Sequence, residues 1–193
     1  MQEANVMKKL DISLKFYRPI YQQQLEGYCL PAEQLQFTAM PMEKIQQTNA
    51  HTDYFPTVIL CGDRLAGFFV LHGWEGVKTY HTNKQAMLLR AFSVQTAFQG
   101  RGIAQKSLQL LPFFVQRHFP DCNEIILAVN HQNTHAQHVY QKAGFIDKGI
   151  RVMGKKESKL SCIGTWNQFY KLLRSTFFRA FSSRHRFKHR SIA

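Results

Sequence analysis

The sequence predicts an α/β or α+β domain in which helices cover a β-sheet. In the second half of the chain, short apolar runs typical of strands alternate with longer segments of helical periodicity. Near residue 62, a tight Gly-Asp turn separates two further apolar runs, as in a β-hairpin. With 193 residues, 45% of them apolar, the chain can bury the core of one domain that carries an appendage.

The first half of the chain predicts an edge strand, helical pieces and a hairpin. Residues 9–15 alternate weakly between polar and apolar, as an edge strand can, and residues 17–47 show helical pieces that prolines interrupt. Two apolar runs at 57–61 and 65–72 flank the turn at 62–64. This arrangement predicts two antiparallel strands.

The second half predicts a β-α-β-α-β order. Residues 86–94 form a strand candidate, and residues 102–117 repeat apolar side chains at helical spacing. Residues 124–129 are nearly all apolar, which is typical of a strand buried on both faces. Asn133 can cap a further helix and Gly144 can end it.

Charge and cysteine content limit the function classes. The net charge is +13, of which residues 155–193 carry +9, so attraction to polyanions belongs to the tail, and the folded body gives no strong indication of nucleic-acid binding. The four cysteines follow no CxxC spacing, which favours reduced thiols in a cytoplasmic protein. No apolar run approaches the ~18 residues of a membrane span, and residues 1–13 lack a segment of signal-peptide type.

A glycine-containing turn at 99–104 (QGRGIA) connects a predicted strand to a predicted helix. Gly100 and Gly102 allow the backbone to approach a ligand closely. The first amides of a helix lack intrahelical partners and lie at its positive end, so they can bind phosphate, and Arg101 adds a full charge. The P-loop pattern is absent, and a glutamine replaces the third glycine of a dinucleotide fingerprint. An ordinary strand-to-helix turn remains the alternative at this point.

A second motif follows one strand later. Its members are Asn133, Ala136, Tyr140, Gly144 and Phe145. Together with the pattern [Q/R]xxGx[G/A], matched by Gln99, Gly102 and Ala104, this motif resembles the GNAT superfamily of acyl-CoA N-acyltransferases. The resemblance covers residues 88–146 well, and the hairpin at 57–72 fits the early strands of that family.

The resemblance implies the GNAT fold: a twisted, mixed and mostly antiparallel sheet with helices on both faces and a central parallel pair of strands that splay apart. The splayed strands would be residues 87–94 and 124–129, with acetyl-CoA as the cosubstrate in the gap and no metal. The pantetheine arm would pair with backbone at Phe92, Ser93 and Val94. The diphosphate would bind the turn at Gln99, Gly100, Arg101, Gly102, Ile103 and Ala104, and Asn133 would form a hydrogen bond with the cofactor.

The implied chemistry is acetyl transfer from a thioester to a primary amine, most simply that of a small molecule. A backbone N–H near Phe92 would stabilise the oxyanion, and Tyr140 matches the family tyrosine that protonates the departing thiolate. Spacing alone favours a core aromatic residue at Tyr140, and the surrounding motif favours the proton donor. Glu75, His72 and His81 could each reach a cleft as a base, but nothing distinguishes them, and a water chain is the alternative.

Acceptor recognition is assigned to residues 17–47 and 73–86. Four acids in these segments weakly favour a cationic, polyamine-like acceptor: Glu26, Glu33, Glu43 and Glu75. Three histidines of the second motif region are interpreted as surface residues rather than zinc ligands: His131, His135 and His138.

The predicted domains are a GNAT domain at 1–160 and a basic, aromatic tail at 161–193. In the tail, Trp166, Phe169 and Phe177 share one face of a possible amphipathic helix. Packing on the domain or on a second subunit of a homodimer is favoured over contact with a membrane, and a non-native ending is a third interpretation. The alternative to an enzyme is a catalytically weak GNAT-like binding module that the tail attaches to membrane, nucleic acid or a partner.

Overall fold

A computed structural model describes residues 11–47, 52–153 and 160–166. The strands are β1 (Ile12–Phe16), β2 (Tyr54–Cys61), β3 (Arg64–His72), β4 (Ala86–Val94), β5 (Glu124–Asn130), β6 (Ile146–Met153) and β7 (Leu160–Trp166). The helices are α1 (Gln22–Glu26), α2 (Ala32–Leu35), α3 (Pro41–Gln46), α4 (Trp74–Val77), α5 (Ile103–His118) and α6 (Thr134–Lys142). Short 3₁₀ turns lie at Pro19–Tyr21 and Thr96–Phe98.

The seven strands form one mixed sheet in the order β1-β2-β3-β4-β5-β7-β6. Neighbouring strands are antiparallel except for the central pair of β4 and β5, which is parallel. β1 lies at the edge, as its weak alternation predicts. The predicted fold class, a mostly antiparallel sheet with one parallel pair and helices on both faces, is confirmed.

Two apolar layers cover the sheet. Consecutive residues of β3 point to opposite faces, so Phe69 packs in the core beneath α5 and α6, whereas Phe68 and Val70 pack beneath α1 and α3. All three side chains are at most 1% exposed. The β4–β5 pair thus has a helical layer on each side, which explains the nearly all-apolar sequence of β5.

The prolines of the N-terminal region begin helical segments instead of interrupting them. Pro19 is the first residue of a 3₁₀ turn, Pro41 is the first residue of α3, and Pro31 is the N-cap of α2. A proline suits the start of a helix because its φ is already helical and its missing N–H has no intrahelical role there. The result is several short helices laid across one face of the sheet.

The sheet extends beyond the predicted domain boundary. β6 ends at Met153, and β7 begins at Leu160, where the predicted domain ends, and pairs with both β5 and β6. A domain boundary at residue 160 would therefore separate β7 from the rest of the sheet. Trp166 belongs to β7 and not to a tail helix. The rest of the predicted tail lies outside the described residues. In the described ranges, no helix is long and apolar enough to cross a membrane.

Candidate active site

The parallel strands β4 and β5 separate halfway along their length. Their ladder runs from Ala86 opposite Glu124 to Leu89 opposite Leu127, and both strands then continue without further pairing to each other. On its other side, β4 carries a bulge, because the register against β3 shifts between Phe68 and Val70. A bulge bends its strand, and this one lies where β4 leaves β5.

The bulge requires an unusual backbone conformation. Ala91 has a φ of 49°, in the left-handed region that a residue with a Cβ seldom adopts. Ala91 and Phe92 together lie opposite the single residue Phe69 of β3. A bulge leaves one extra residue outside the regular ladder, and both residues of this pair line the cleft.

The gap opens into a cleft of about 790 Å³. Its walls come from β4, β5, α2, the start of α5 and one face of α6. Nearly all the residues predicted from sequence for cofactor binding and catalysis line this one cleft: Phe92, Ser93, Val94, Gln99, Gly100, Gly102, Ile103, Ala104, Asn133 and Tyr140. Their individual roles stay predictions.

The glycine turn presents open amides to the cleft. Gly100 and Gly102 have φ values of 71° and 76°, and a Cβ added to either would meet no atom within 4 Å. Gly102 is the N-cap of α5 and has no side chain with which to cap the helix. The first intrahelical hydrogen bond is donated by the Lys106 amide to the Gly102 carbonyl, at 3.0 Å. The three amides before Lys106 therefore precede the intrahelical pattern and can receive an anion.

Arg101 is placed differently from its neighbours. Its side chain is exposed, its guanidinium lies 5.6 Å from the centre of the Phe98 ring, and it does not line the cleft. The diphosphate contact predicted for this guanidinium stays a prediction. The stacking on Phe98 holds the charge to one side, because a cation is attracted to the face of an aromatic ring.

The side chain of Gln99 supports the turn from within the protein. Its Nε2 donates to the Val94 carbonyl at 2.8 Å, and it exchanges amide hydrogen bonds of 3.1 and 3.3 Å with Gln34 of α2. Nearby, both the amide and the hydroxyl of Thr96 donate to the Cys29 carbonyl at 3.0 Å. These bonds fasten the segment around α2 to the connection between β4 and α5, and the Gln99 amide also donates within the protein, to the Thr96 carbonyl at 3.2 Å.

Asn133 caps α6. Its Oδ1 accepts a hydrogen bond from the Ala136 amide at 3.0 Å, as the sequence predicts for an N-cap asparagine. Because Oδ1 is used, the group of this side chain that can reach a cofactor is the Nδ2 amide, which donates. The capping role and the predicted cofactor role are therefore compatible.

Tyr140 lies near the end of α6, where the helix closes with a Schellman motif. The Phe145 amide donates to the Tyr140 carbonyl at 3.1 Å, and Gly144 has a φ of 95°. The phenol ring contacts Phe92 and Phe145, with ring centres 6.2 and 5.8 Å away. Burial raises the pKa of the Tyr140 phenol above its ordinary value, so the hydroxyl keeps its proton at neutral pH.

None of the three base candidates lines the described part of the cleft. Glu75 is exposed and forms a 2.6 Å ion pair with Lys78. His81 lies 3.9 Å from Glu124, at the end of the parallel pair opposite the cleft. His72 is 3% exposed and contacts the side chain of Arg90.

Arg90 is a cleft residue that sequence reasoning missed. The available signal was the single charge in the strand AMLLRAFSV, whose other residues are apolar except for Ser93. Of the three histidines interpreted as surface residues, His135 lines the cleft and all three are exposed. The described ranges contain no group of three side chains arranged to hold a metal ion.

A splayed parallel pair beside an open helix N-terminus suits an acyl-CoA-dependent transferase. Comparison with known proteins agrees: residues 15–145 match the acetyltransferase (GNAT) family, and the chain belongs to that family. It is 44% identical over 145 residues to the uncharacterized N-acetyltransferase YbbJ of Bacillus subtilis (strain 168), an alignment that covers 75% of this chain and 91% of that relative. The prediction of the family and of an acetyl-CoA-dependent N-acetyltransferase is confirmed.

Solved structures share the fold at low sequence identity. The aminoglycoside acetyltransferase AAC(6')-Ib, in complex with coenzyme A and kanamycin, has a TM-score of 0.68 at 15% identity, covering 86% of this chain and 99% of its own. The spermidine N-acetyltransferase from Vibrio cholerae, in complex with CoA and spermine, has a TM-score of 0.62 at 14% identity, covering 83% and 98%. At this identity the likeness concerns the fold alone.

Proposed function

We propose that this enzyme acetylates the primary amine of a small molecule, in the cytoplasm, through the cleft between β4 and β5. The observation that carries the proposal is that the gap lies between amides that can bind an anion and a phenol that can donate a proton. Open amides at the start of α5 line one part of the cleft, and the Tyr140 phenol lines another. A reducing compartment agrees with the free thiols of Cys29, Cys61 and Cys122.

The described residues fit acetyl-CoA. Residues 102–104 offer the positive end of α5 to the diphosphate, backbone of β4 at Phe92 and Val94 offers strand-like pairing to the pantetheine arm, and the Nδ2 amide of Asn133 offers a donor. When bound, the cofactor supplies an acetyl thioester. The protein orients the thioester and supplies a proton donor. Because β4 and β5 do not pair with each other at the gap, their backbone does not compete with the cofactor there.

In the proposed reaction, the neutral amine attacks the thioester carbonyl carbon, a C–N bond forms, and the C–S bond breaks. The Tyr140 hydroxyl gives its proton to the departing thiolate, and the proton lost by the amine restores the phenol through water. A backbone N–H of the bulged pair Ala91 and Phe92 donates to the developing oxyanion. The raised pKa of Tyr140 supports this role, because it keeps the phenol in the proton-donating form.

The binding-module alternative depends on residues 167–193. These residues lie outside the described ranges, as does any homodimer contact of the tail. Deleting residues 167–193 separates the two functions: the proposal expects acetyl transfer to persist without them.

The direct test is the Tyr140→Phe variant in a thiol-release assay with a panel of small amines. We expect kcat to fall by about 10²- to 10⁴-fold, the usual contribution of a positioned acid, while acetyl-CoA still raises the melting temperature as it does in the unaltered protein. Tyr17→Phe removes a phenol hydroxyl outside the cleft and is the matched control. Unchanged turnover in Tyr140→Phe would exclude this residue as the proton donor.

A further inference from the structure

The cleft has a second polar region on the face of the sheet opposite the α5 amides. Arg90 lies one residue before the β4 bulge and lines the cleft. Leu89 packs in the core beneath α5, whereas Leu88 packs with the cluster on the other face. Because side chains alternate along a strand, Arg90 points to the same face as Leu88, away from the helix that would hold the diphosphate.

A chain of contacts fixes the direction of Arg90. Its Nη1 lies 2.9 Å from Nδ1 of His72, which is buried at the end of β3. A Cβ added at Gly76 would overlap the His72 ring, so the backbone of α4 packs directly against the imidazole. His72 Nε2 lies 3.4 Å from Oδ1 of Asp53, whose other oxygen accepts from the Glu75 amide at 2.9 Å. The guanidinium is thus oriented by residues from three segments of the chain.

The partner that orients Arg90 is not an anion. A guanidinium only donates hydrogen bonds, so His72 Nδ1 accepts, and the ring proton lies on Nε2 towards Asp53. Within the described ranges, none of the ion pairs includes Arg90. Its hydrogen bond to His72 uses Nη1, which leaves Nη2 and Nε as donors for a ligand. An anion in the cleft would therefore stabilise the half-buried Arg90 guanidinium, whose described partner is a neutral imidazole.

We propose that Arg90 binds a carboxylate or similar acidic group of the acceptor, so that the substrates are small amines that also carry an acid. The proposal rests on the proposed function for the acetyl-transfer step, and it assigns the acceptor class. The cofactor's diphosphate does not compete for Arg90, because it binds at α5 on the other face of the sheet.

The same site disfavours a polycationic acceptor. Of the four acids that the sequence offered for a polyamine, Glu33 lines the cleft and is exposed, whereas Glu26, Glu43 and Glu75 do not line it. A polyamine would place several positive charges near Arg90 with one exposed carboxylate to offset them. An amine that carries an acid meets one charge of each sign.

The test compares acceptors that differ in one charge. A set of α- and β-amino acids is assayed beside the primary amide of each, with spermidine added, by thiol release. We expect kcat/KM for the preferred acid to exceed that for its amide by about ten- to a hundred-fold, the range for loss of a charge-assisted hydrogen bond. In Arg90→Gln, this ratio should fall towards one through a higher KM for the acid, whereas Arg90→Lys should keep part of it.

Binding provides an independent readout. With the protein saturated by CoA, the preferred acid should raise the melting temperature further and its amide should not, and Arg90→Gln should lose this increment while its response to CoA is kept. The assignment is overturned if the enzyme acetylates the amides or spermidine at least as well as the acids. It is also overturned if Arg90→Gln affects the acid and its amide equally. Either result leaves the proposed acetyl transfer intact. Stabilisation by the acid through Arg90 without any acetyl transfer would support the assignment and contradict the proposed function alone.

Discussion

Gly102 combines two requirements at one residue. Its φ of 76° lies in the left-handed region, where a residue with a Cβ loses about 1–2 kcal/mol. It is also the N-cap of α5, so it stands where the diphosphate is proposed to bind. Stability and cofactor affinity can therefore both change on substitution, and a control with the same backbone strain is needed to separate them.

Gly62 is that control, because its φ is 59°, its added Cβ would meet no atom within 4 Å, and it lies in the β2–β3 turn outside the cleft. We expect Gly102→Asp to lose acetyl-CoA binding through charge repulsion, while Gly62→Asp binds normally. Both should lose similar stability, about 1 kcal/mol, since aspartate tolerates this conformation better than most residues. Equal acetyl-CoA affinity of the two variants in calorimetry would show that the turn does not hold the diphosphate.

The residues that could be predicted from sequence are those whose roles depend on local geometry. Gly102 and Asn133 each precede the first residue of a helix, and helix ends carry their own signals within a few positions. Arg90 could not be predicted, because its meaning depends on His72, which is 18 residues away on another strand, and on Asp53 beyond it. The position of Arg101 beside the Phe98 ring could not be predicted for the same reason, although its charge is visible in the sequence.

α6 shows how one element can carry both stability and binding. Its first turn is capped by Asn133, and its last turn holds Tyr140 through the Schellman motif that ends at Phe145. The helix has nine residues and none of them is fully buried. A helix of this length depends on its caps and on tertiary packing, so a change at Asn133 also affects how firmly Tyr140 is held.

Two substitutions at Asn133 separate the cap from the cofactor contact. Asn133→Ala removes the oxygen that accepts from Ala136, and should lower the free energy of unfolding by about 1 kcal/mol. Asn133→Asp keeps that acceptor and favours the helix dipole, so its stability should stay near that of the unaltered protein. Both lose the Nδ2 donor, and both should bind acetyl-CoA more weakly, Asp more so because of its charge. If Asn133→Asp bound the cofactor normally, Asn133 would be a cap alone.

At the level of elements, periodicity located the strands of the β-α-β-α-β region to within a residue or two, because each is bounded by a turn or a cap. The final strands were located less well. β7 lies between β5 and β6, although it follows both in sequence, and its pairing partners are up to 41 residues away. Such long-range pairing leaves little local signal, so the boundary at residue 160 was placed inside the sheet.

Across the whole molecule, the two apolar layers contain phenols that are buried (Tyr28 and Tyr54) or partly buried (Tyr140). Tyr140 belongs to the layer beneath α5 and α6, and Tyr28 and Tyr54 belong to the other. Burial raises the pKa of all three phenols. A 2.9 Å hydrogen bond to Ser93 partly offsets this effect for Tyr28, and the nearby charge of Arg90 partly offsets it for Tyr54. Three groups that resist ionisation in the folded protein link its stability to pH.

The direction of that linkage follows from proton binding. Above pH ~10, the ordinary pKa of tyrosine, the unfolded chain releases these protons while the folded protein keeps them, so the free energy of unfolding falls as pH rises. Each phenol contributes a slope of about 1.4 kcal/mol per pH unit. In urea unfolding at several alkaline pH values, Tyr28→Phe should therefore show a slope smaller by about that amount, because lysines and cysteines titrate alike in both proteins. The contrary result would be equal slopes of unfolding free energy against pH in the two proteins, with tyrosinate absorbance that shows every phenol ionising in the folded state. It would mean that solvent reaches Tyr28 and that the layer beneath α1 and α3 is open.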